Sequence, residues 1–290
     1  DKLEGVGLVG DTLFCTYLRD AHTQIRAYDL HGKLLREVAL PGIGSSGGLG
    51  GRRDQAEAFY SFTNQITPRT IYRHDVKTGT SRVWRETKVD FDASPFVTEQ
   101  VFYPSKDGTK IPMFLTHRKD MKLDGNNPVW LDAYGGFDVS ITPSFSVSIA
   151  LWLESGGVFA QANLRGGGEY GEEWHLAGTK ERKQNVFDDF IAGAEWLIAN
   201  KWTRPSRLAI HGGSNGGLLM GAVMTQRPEL FGAVIAEVGV LDMLRFQKFT
   251  IGWAWVGDYG SSEDPKMFPA LYRYSPLHNA KPGTKYPATL

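Results

Sequence analysis

The sequence predicts an α/β protein: a mostly parallel sheet with helices on both faces, preceded by the last blades of a β-propeller. Three observations predict it. Over the first ~90 residues short alternating runs repeat at an interval of 46, so that Phe14, Ile25 and Asp29 recur as Tyr60, Ile71 and Asp75. From about Val101 onward, short apolar runs alternate with helical patterns, the texture of a parallel sheet joined by crossover helices. The third is Gly212-Gly213-Ser214-Asn215-Gly216-Gly217, a glycine-rich turn between one such run and one such helix.

In the repeat, Thr12–Leu18, Ile25–Leu30, Ala58–Thr63 and Thr70–Val76 alternate as half-buried strands do. Gly32 and Gly79 fall at hairpin turns that end the third strand of each unit. Four short strands per ~46 residues is the pattern of a propeller blade; a chance match in a generic antiparallel sheet is the alternative. A propeller needs at least about four blades to close. Two copies therefore predict an internal piece of a longer protein, with blades over 1–90 and an α/β domain, incomplete at its C-terminus, over 91–290. The single cysteine, Cys15, cannot form an intrachain disulfide and is expected to be a buried, unreactive thiol.

Within the second region, Val101–Pro104 and Lys110–Thr116 predict a leading hairpin. Pro128–Ala133 is a strand ending in the loop Tyr134-Gly135-Gly136-Phe137, and Val158–Asn163 is a buried strand before the glycine-rich Arg165–Gly171. Asp188–Asn200 spaces Phe190, Ile191, Ala194, Leu197 and Ile198 for an amphipathic helix. Leu208–His211 is the next strand, Leu218–Gln226 a helix stopped by Pro228, and Ala233–Val238 a further strand. Tyr286–Leu290 opens one more.

Composition narrows the function classes. The 290 residues carry 32 basic and 32 acidic side chains without a long run of either sign, which argues against nucleic-acid or anionic-membrane binding. No apolar run approaches 18 residues and no signal peptide is evident, although the chain starts without Met. A cytoplasmic location is expected, with a periplasmic one as the alternative. Aromatic content of 12% suits a packed core or an aromatic-lined pocket. No histidine pair has metal-ligand spacing with a supporting carboxylate, and Gly166-Gly167-Gly168 fits neither phosphate-binding fingerprint. Neither a metal nor a cofactor is expected.

The Gly212–Gly217 turn fits G-x-S-x-G in a strand–turn–helix context, the nucleophile elbow of α/β-hydrolases. Such an elbow holds its serine in a strained conformation so that Oγ projects above the sheet, and close neighbours must lack Cβ atoms. The Asn215 amide, at a helix N-terminus, is placed to meet negative charge developing on an acyl oxygen. A glycine-rich turn without catalytic meaning is the alternative, and the flanking elements favour the elbow. Tyr134 follows a strand where a second oxyanion donor is placed in such folds; from its residues alone, an oxyanion donor and a buried tyrosine at a tight turn stay equally open.

Several further segments carry a resemblance. Gly212–Gly217, Tyr134–Phe137, Asn163–Gly171, Thr250–Trp255, Tyr103–Pro112 and Tyr274–Asn279 are together similar to the prolyl oligopeptidase family, from about Phe91 to Leu290, and the blades extend the similarity to the N-terminus. Asn215 and Tyr170 favour prolyl oligopeptidases over the oligopeptidase B branch. The resemblance implies that Ser214 attacks the scissile carbonyl and that the Tyr134 hydroxyl and Asn215 amide form the oxyanion hole. It further implies that Trp255 stacks on the substrate proline, with Phe137, Val240 and Tyr259 around it. A flat aromatic slot suits a rigid, apolar pyrrolidine with no amide hydrogen. Composition alone would put Trp255 in a core.

A serine nucleophile also needs a base and an orienting carboxylate. After Ser214 there is one histidine, His278, with Asp242, Asp258 and Asp264 as candidate acids. In the family His278 matches a non-catalytic position, and the resemblance implies an acid and a base beyond Leu290, so neither role is assigned. The expectation is a serine endopeptidase that cleaves short peptides after proline and is monomeric when complete. A relaxed-specificity esterase or aminopeptidase of the same clan is one alternative. The other is an inactive, poorly stable fragment or binding scaffold.

Overall fold

The computed structural model describes residues 1–290, which form two compact units. The first comprises Asp1–Glu99, Thr116–Lys119 and Thr142–Ser155; the second comprises Gln100–Leu115, Asp120–Ile141 and Gly156–Leu290.

In the first unit two four-stranded antiparallel sheets follow one another. One is β1 (Lys2–Val9), β2 (Thr12–Arg19), β3 (His22–Tyr28) and β4 (Leu34–Glu37); the other is β5 (Ser45–Gly50), β6 (Glu57–Asn64), β7 (Thr67–Asp75) and β8 (Ser81–Glu86). The 46-residue repeat is the repeat of these blades. Phe14 on β2 and Tyr60 on β6 are buried in one shared core with Val9, Leu49 and Phe62. Asp29 and Asp75 take the same role in the two turns. Asp29 accepts the amides of His31 and Lys33 at 2.9 Å, and Asp75 accepts that of Thr78 at 2.7 Å. These hydrogen bonds hold both carboxyls below their usual range. Gly32 (φ +83°) and Gly79 (φ +76°) take the left-handed conformation that each hairpin requires. The match is imperfect at one pair: Ile25 is fully buried, whereas Ile71 is half-buried. Cys15, expected to be buried, is only half-buried, because strand alternation turns it away from the Phe14 face.

The remaining strands, β9 (Phe96–Pro104), β10 (Lys110–Arg118), β11 (Val129–Asp132), β12 (Val158–Ala162), β13 (Leu208–Gly213), β14 (Ala233–Glu237) and β15 (Ala288–Thr289), form one sheet in the order β15-β14-β13-β11-β12-β10-β9. The pairs β11–β12, β11–β13, β13–β14 and β14–β15 are parallel. The helices are α1 (Val147–Glu154), α2 (Glu172–Leu176), α3 (Gln184–Ala199) and α4 (Asn215–Gln226), with shorter ones after β14. This is the α/β-hydrolase arrangement, and it follows two blades of a propeller.

The core of the second unit is built from strand residues Val129, Leu131, Val158, Ala160, Leu208 and Ile210 against Val186, Phe187 and Phe190 of α3 and Leu218 and Met220 of α4. Two helices start earlier than their apolar periodicity predicts. The helix expected from Asp188 begins at Gln184, and the one expected from Leu218 begins at Asn215. In α4 the chain is forced into helix directly after the turn, so close packing overrides the poor helix propensity of Gly216 and Gly217.

Candidate active site

Ser214 stands between the end of β13 and the first residue of α4, with φ +56° and ψ −115°. A non-glycine residue at such a backbone conformation is strained, at a cost on the order of 1–3 kcal/mol that the surroundings must sustain. Here the surroundings are visible. The Ser214 amide donates to Glu237 O at 2.9 Å, and the Ser214 carbonyl accepts the Leu218 amide at 3.0 Å, starting α4. A Cβ on Gly212 would sit 2.6 Å from Gly216 O, and one on Gly217 would sit 2.6 Å from Gly239 Cα. Only hydrogen fits at these positions, which is why glycines flank the serine on both sides. The result leaves Ser214 exposed and Asn215 buried.

The loop after β11 faces this turn. Burial pushes the Tyr134 phenol pKa up, and the neighbouring Ser214 hydroxyl partly offsets the rise. Asn215 Nδ2 donates to Tyr134 O at 2.6 Å, and a Cβ on Gly136 would fall 2.6 Å from that same nitrogen. The first amides of α4 have no acceptor within the helix, so Asn215 N–H is a free donor beside the serine. A phenol and an amide thus flank one exposed hydroxyl, the arrangement that can stabilise an oxyanion.

Behind them lies a buried polar network that sequence reasoning missed. Lys183 Nζ donates to Gly135 O at 2.8 Å and to Asn215 Oδ1 at 2.9 Å. Tyr259 OH donates to the same Asn215 Oδ1 at 2.9 Å. Burial pulls the Lys183 ammonium down to about 8, with the Asp258 carboxylate acting in the opposite direction, and pushes the Tyr259 phenol far up. Asp258 Oδ2 accepts the Phe137 amide at 3.0 Å, and its Oδ1 lies 2.7 Å from His175 Nε2. Phe137 itself has φ +57°, so the carboxylate fixes a second strained residue. No sequence motif singles out Lys183. The only signal is a lysine that opens an amphipathic helix on its apolar side.

The expected pocket residues are brought together in part. Phe137 and Tyr259 meet edge to face with ring centroids 5.2 Å apart, and Phe246 meets Tyr259 in the same way at 5.3 Å. Val240 and Trp255 are half-buried and pack against the same core, with Trp255 ending the short turn Gly252–Trp255. Tyr259, at 1% exposure, backs this group from behind rather than lining its surface. The glycine-rich loop is anchored at Arg165, which pairs with buried Asp189 at 2.6 Å and with Asp107 at 2.5 Å. Arg165 holds the Asp107 carboxyl down at about 2.

The histidines of this unit are engaged elsewhere. His211 Nδ1 lies 2.6 Å from Asp132 Oδ2, across the β11–β13 pairing, and His278 Nδ1 lies 2.8 Å from Ser275 Oγ. With His175 on Asp258, each has a partner other than the serine.

The sheet order, the strained serine on its strand–helix turn and the two blades before them define an α/β-hydrolase with a propeller. Residues 143–290 match the prolyl oligopeptidase family, and residues 1–87 match the N-terminal beta-propeller domain of prolyl oligopeptidase. The chain belongs to the prolyl oligopeptidase family. It is 53% identical to a prolyl endopeptidase of Elizabethkingia miricola over 97% of this chain and 40% of that protein. It is 45% identical to a prolyl endopeptidase of Dictyostelium discoideum, covering 37% of it. Prolyl oligopeptidase B of Galerina marginata, solved with a 25-residue macrocyclization substrate, superposes with a TM-score of 0.93 at 40% identity, over 99% of this chain and 41% of that one. The chain thus spans about 40% of the length of the relatives it matches. No helix is long and apolar enough to cross a membrane.

Proposed function

We propose that the enzyme to which these residues belong is a serine endopeptidase that cleaves short peptides on the carboxyl side of proline. The observation that carries this reading is Ser214, exposed at φ +56° on its strand–helix turn, with the next residue, Asn215, tied to the Tyr134 loop through Tyr134 O at 2.6 Å. Ser214 Oγ attacks the scissile carbonyl and loses its proton to a base. The oxyanion that forms accepts hydrogen bonds from Tyr134 OH and Asn215 N–H. Collapse expels the amine, which takes up a proton, and leaves an acyl-enzyme that water hydrolyses. Trp255, Phe137 and Val240 form the proline slot, with Tyr259 behind them. His175, His211 and His278 have Asp258, Asp132 and Ser275 as partners, and no residue here is assigned as the base or its carboxylate.

The domain boundary is placed near residue 90, in keeping with the match of 1–87 to the propeller domain. The complete enzyme is taken to be a cytoplasmic monomer acting on proline-containing peptides. The test is turnover of paired chromogenic peptides with proline or alanine before the scissile bond by the complete protein. Strong preference for proline is expected. Equal turnover of both would overturn the specificity and favour a relaxed esterase or aminopeptidase.

A further inference from the structure

We propose that Lys183 is a positioning residue for the reaction: one ammonium clamps the Tyr134 loop and the residue after the nucleophile into a single oxyanion-binding geometry. This rests on the assignment of Tyr134 and Asn215 to the oxyanion hole.

Three observations carry it. Lys183 Nζ reaches both halves of the site at once, through Gly135 O at 2.8 Å and Asn215 Oδ1 at 2.9 Å. Gly135 is the neighbour of Tyr134, and Asn215 is the neighbour of Ser214. Lys183 is 1% exposed, so its charge is held away from water, where an unpaired ammonium is strongly disfavoured. Such a burial is sustained only by partners fixed in place, and here those partners are the two arms flanking Ser214. The lysine precedes α3, whose Val186, Phe187 and Phe190 are fully buried, so the clamp is rooted in the core and not in a loop.

The chemistry gives the arrangement a consequence. Phe137 has φ +57° and Asp138 has φ +56°, so the Tyr134 loop holds two non-glycine residues in a strained conformation that external bonds must sustain. Asn215 Nδ2 and Lys183 Nζ hold its carbonyls at Tyr134 and Gly135, while Asp258 holds its amide at Phe137. Removing Lys183 frees the middle of the three. A shift of about 1 Å in a catalytic donor can cost on the order of 100-fold in rate. Substrate binding, which is governed by the aromatic slot, is left nearly unchanged.

The experiment is a kinetic cycle in the complete protein, with wild type, Lys183→Met, Tyr134→Phe and the double variant assayed on a proline-containing chromogenic peptide. Lys183→Met is expected to lower kcat by about 10- to 100-fold with KM within about twofold. In the Tyr134→Phe background the same substitution is expected to cost clearly less than it does in wild type, because one of the two donors it positions is already gone. Lys183→Gln, a shorter neutral donor, is expected to recover part of kcat. Fully multiplicative effects, or an unchanged kcat in folded Lys183→Met, would overturn the proposal. Loss of folding in both Lys183 variants would assign the lysine to the scaffold and overturn it as well. Inactivity of wild type on proline peptides would instead overturn the peptidase reading on which the proposal rests.

Discussion

Asn215 Nδ2 donates to Tyr134 O at 2.6 Å, so the residue after the nucleophile is tied to the loop that carries the facing phenol. Asn215 Oδ1 simultaneously accepts from Lys183 and Tyr259. One buried carboxamide therefore joins the elbow, the Tyr134 loop, α3 and the aromatic group, and its chemistry serves architecture as much as catalysis.

Replacing it should be costly. Asn215→Ala removes the acceptor from a buried ammonium and a buried phenol, leaving Lys183 with Gly135 O as its remaining partner. Breaking one side of such a buried charged contact typically costs about 3 kcal/mol or more. Chemical denaturation of the complete protein should show a loss of that size, while a loss below about 1 kcal/mol would contradict the network.

Tyr134→Phe removes a hydroxyl and keeps the ring. Loss of one oxyanion donor costs roughly 100- to 1000-fold in kcat, and KM should change little. Steady-state kinetics decides: a kcat within a few-fold of wild type would return Tyr134 to a purely structural role at its turn.

Trp255→Ala should reduce kcat/KM for proline substrates by roughly tenfold or more, the worth of a lost aromatic stacking surface. The corresponding alanine substrate should lose much less. An equal loss for both would count against stacking on the proline ring.

His211 gives a pH prediction with a definite sign. The hydrogen bond with Asp132 raises its pKa above the ordinary histidine value of 6.5, against the opposing effect of burial. A raised pKa means that the folded protein holds the proton more tightly than the unfolded chain does. This stabilisation is fully present below pH 6.5 and is lost as pH rises through the folded value. In His211→Ala the thermal midpoint should lack that decline relative to wild type. Parallel pH profiles for the two would contradict the pairing.

Much of this architecture was legible in the sequence, for identifiable reasons. Phe14 and Tyr60, Asp29 and Asp75, and Gly32 and Gly79 recur because each blade repeats one buried anchor, one turn acceptor and one left-handed glycine. Gly212 and Gly217 advertise the elbow because no Cβ fits there. Of Tyr286–Leu290, read as an opening strand, β15 covers only Ala288–Thr289, and Leu290 bonds Val234 and Ala236 of β14. The apolar α1 carries no clear helical stripe, with Val147, Ile149, Ala150, Leu151 and Leu153 nearly continuous, so its helix was not readable. Lys183 and the Asp258–His175 pair were hidden for a different reason. Their importance lies in partners 32 to 121 residues away, a distance no local pattern encodes.

The most direct test of the account is where a proline-mimicking phosphonate attaches in the complete protein. Peptide mapping by mass spectrometry after inactivation should place the adduct on Ser214, and Ser214→Ala should fold normally and remain unlabelled. An adduct on any other residue, or labelling that persists in Ser214→Ala, would contradict the assignment of Ser214 as nucleophile.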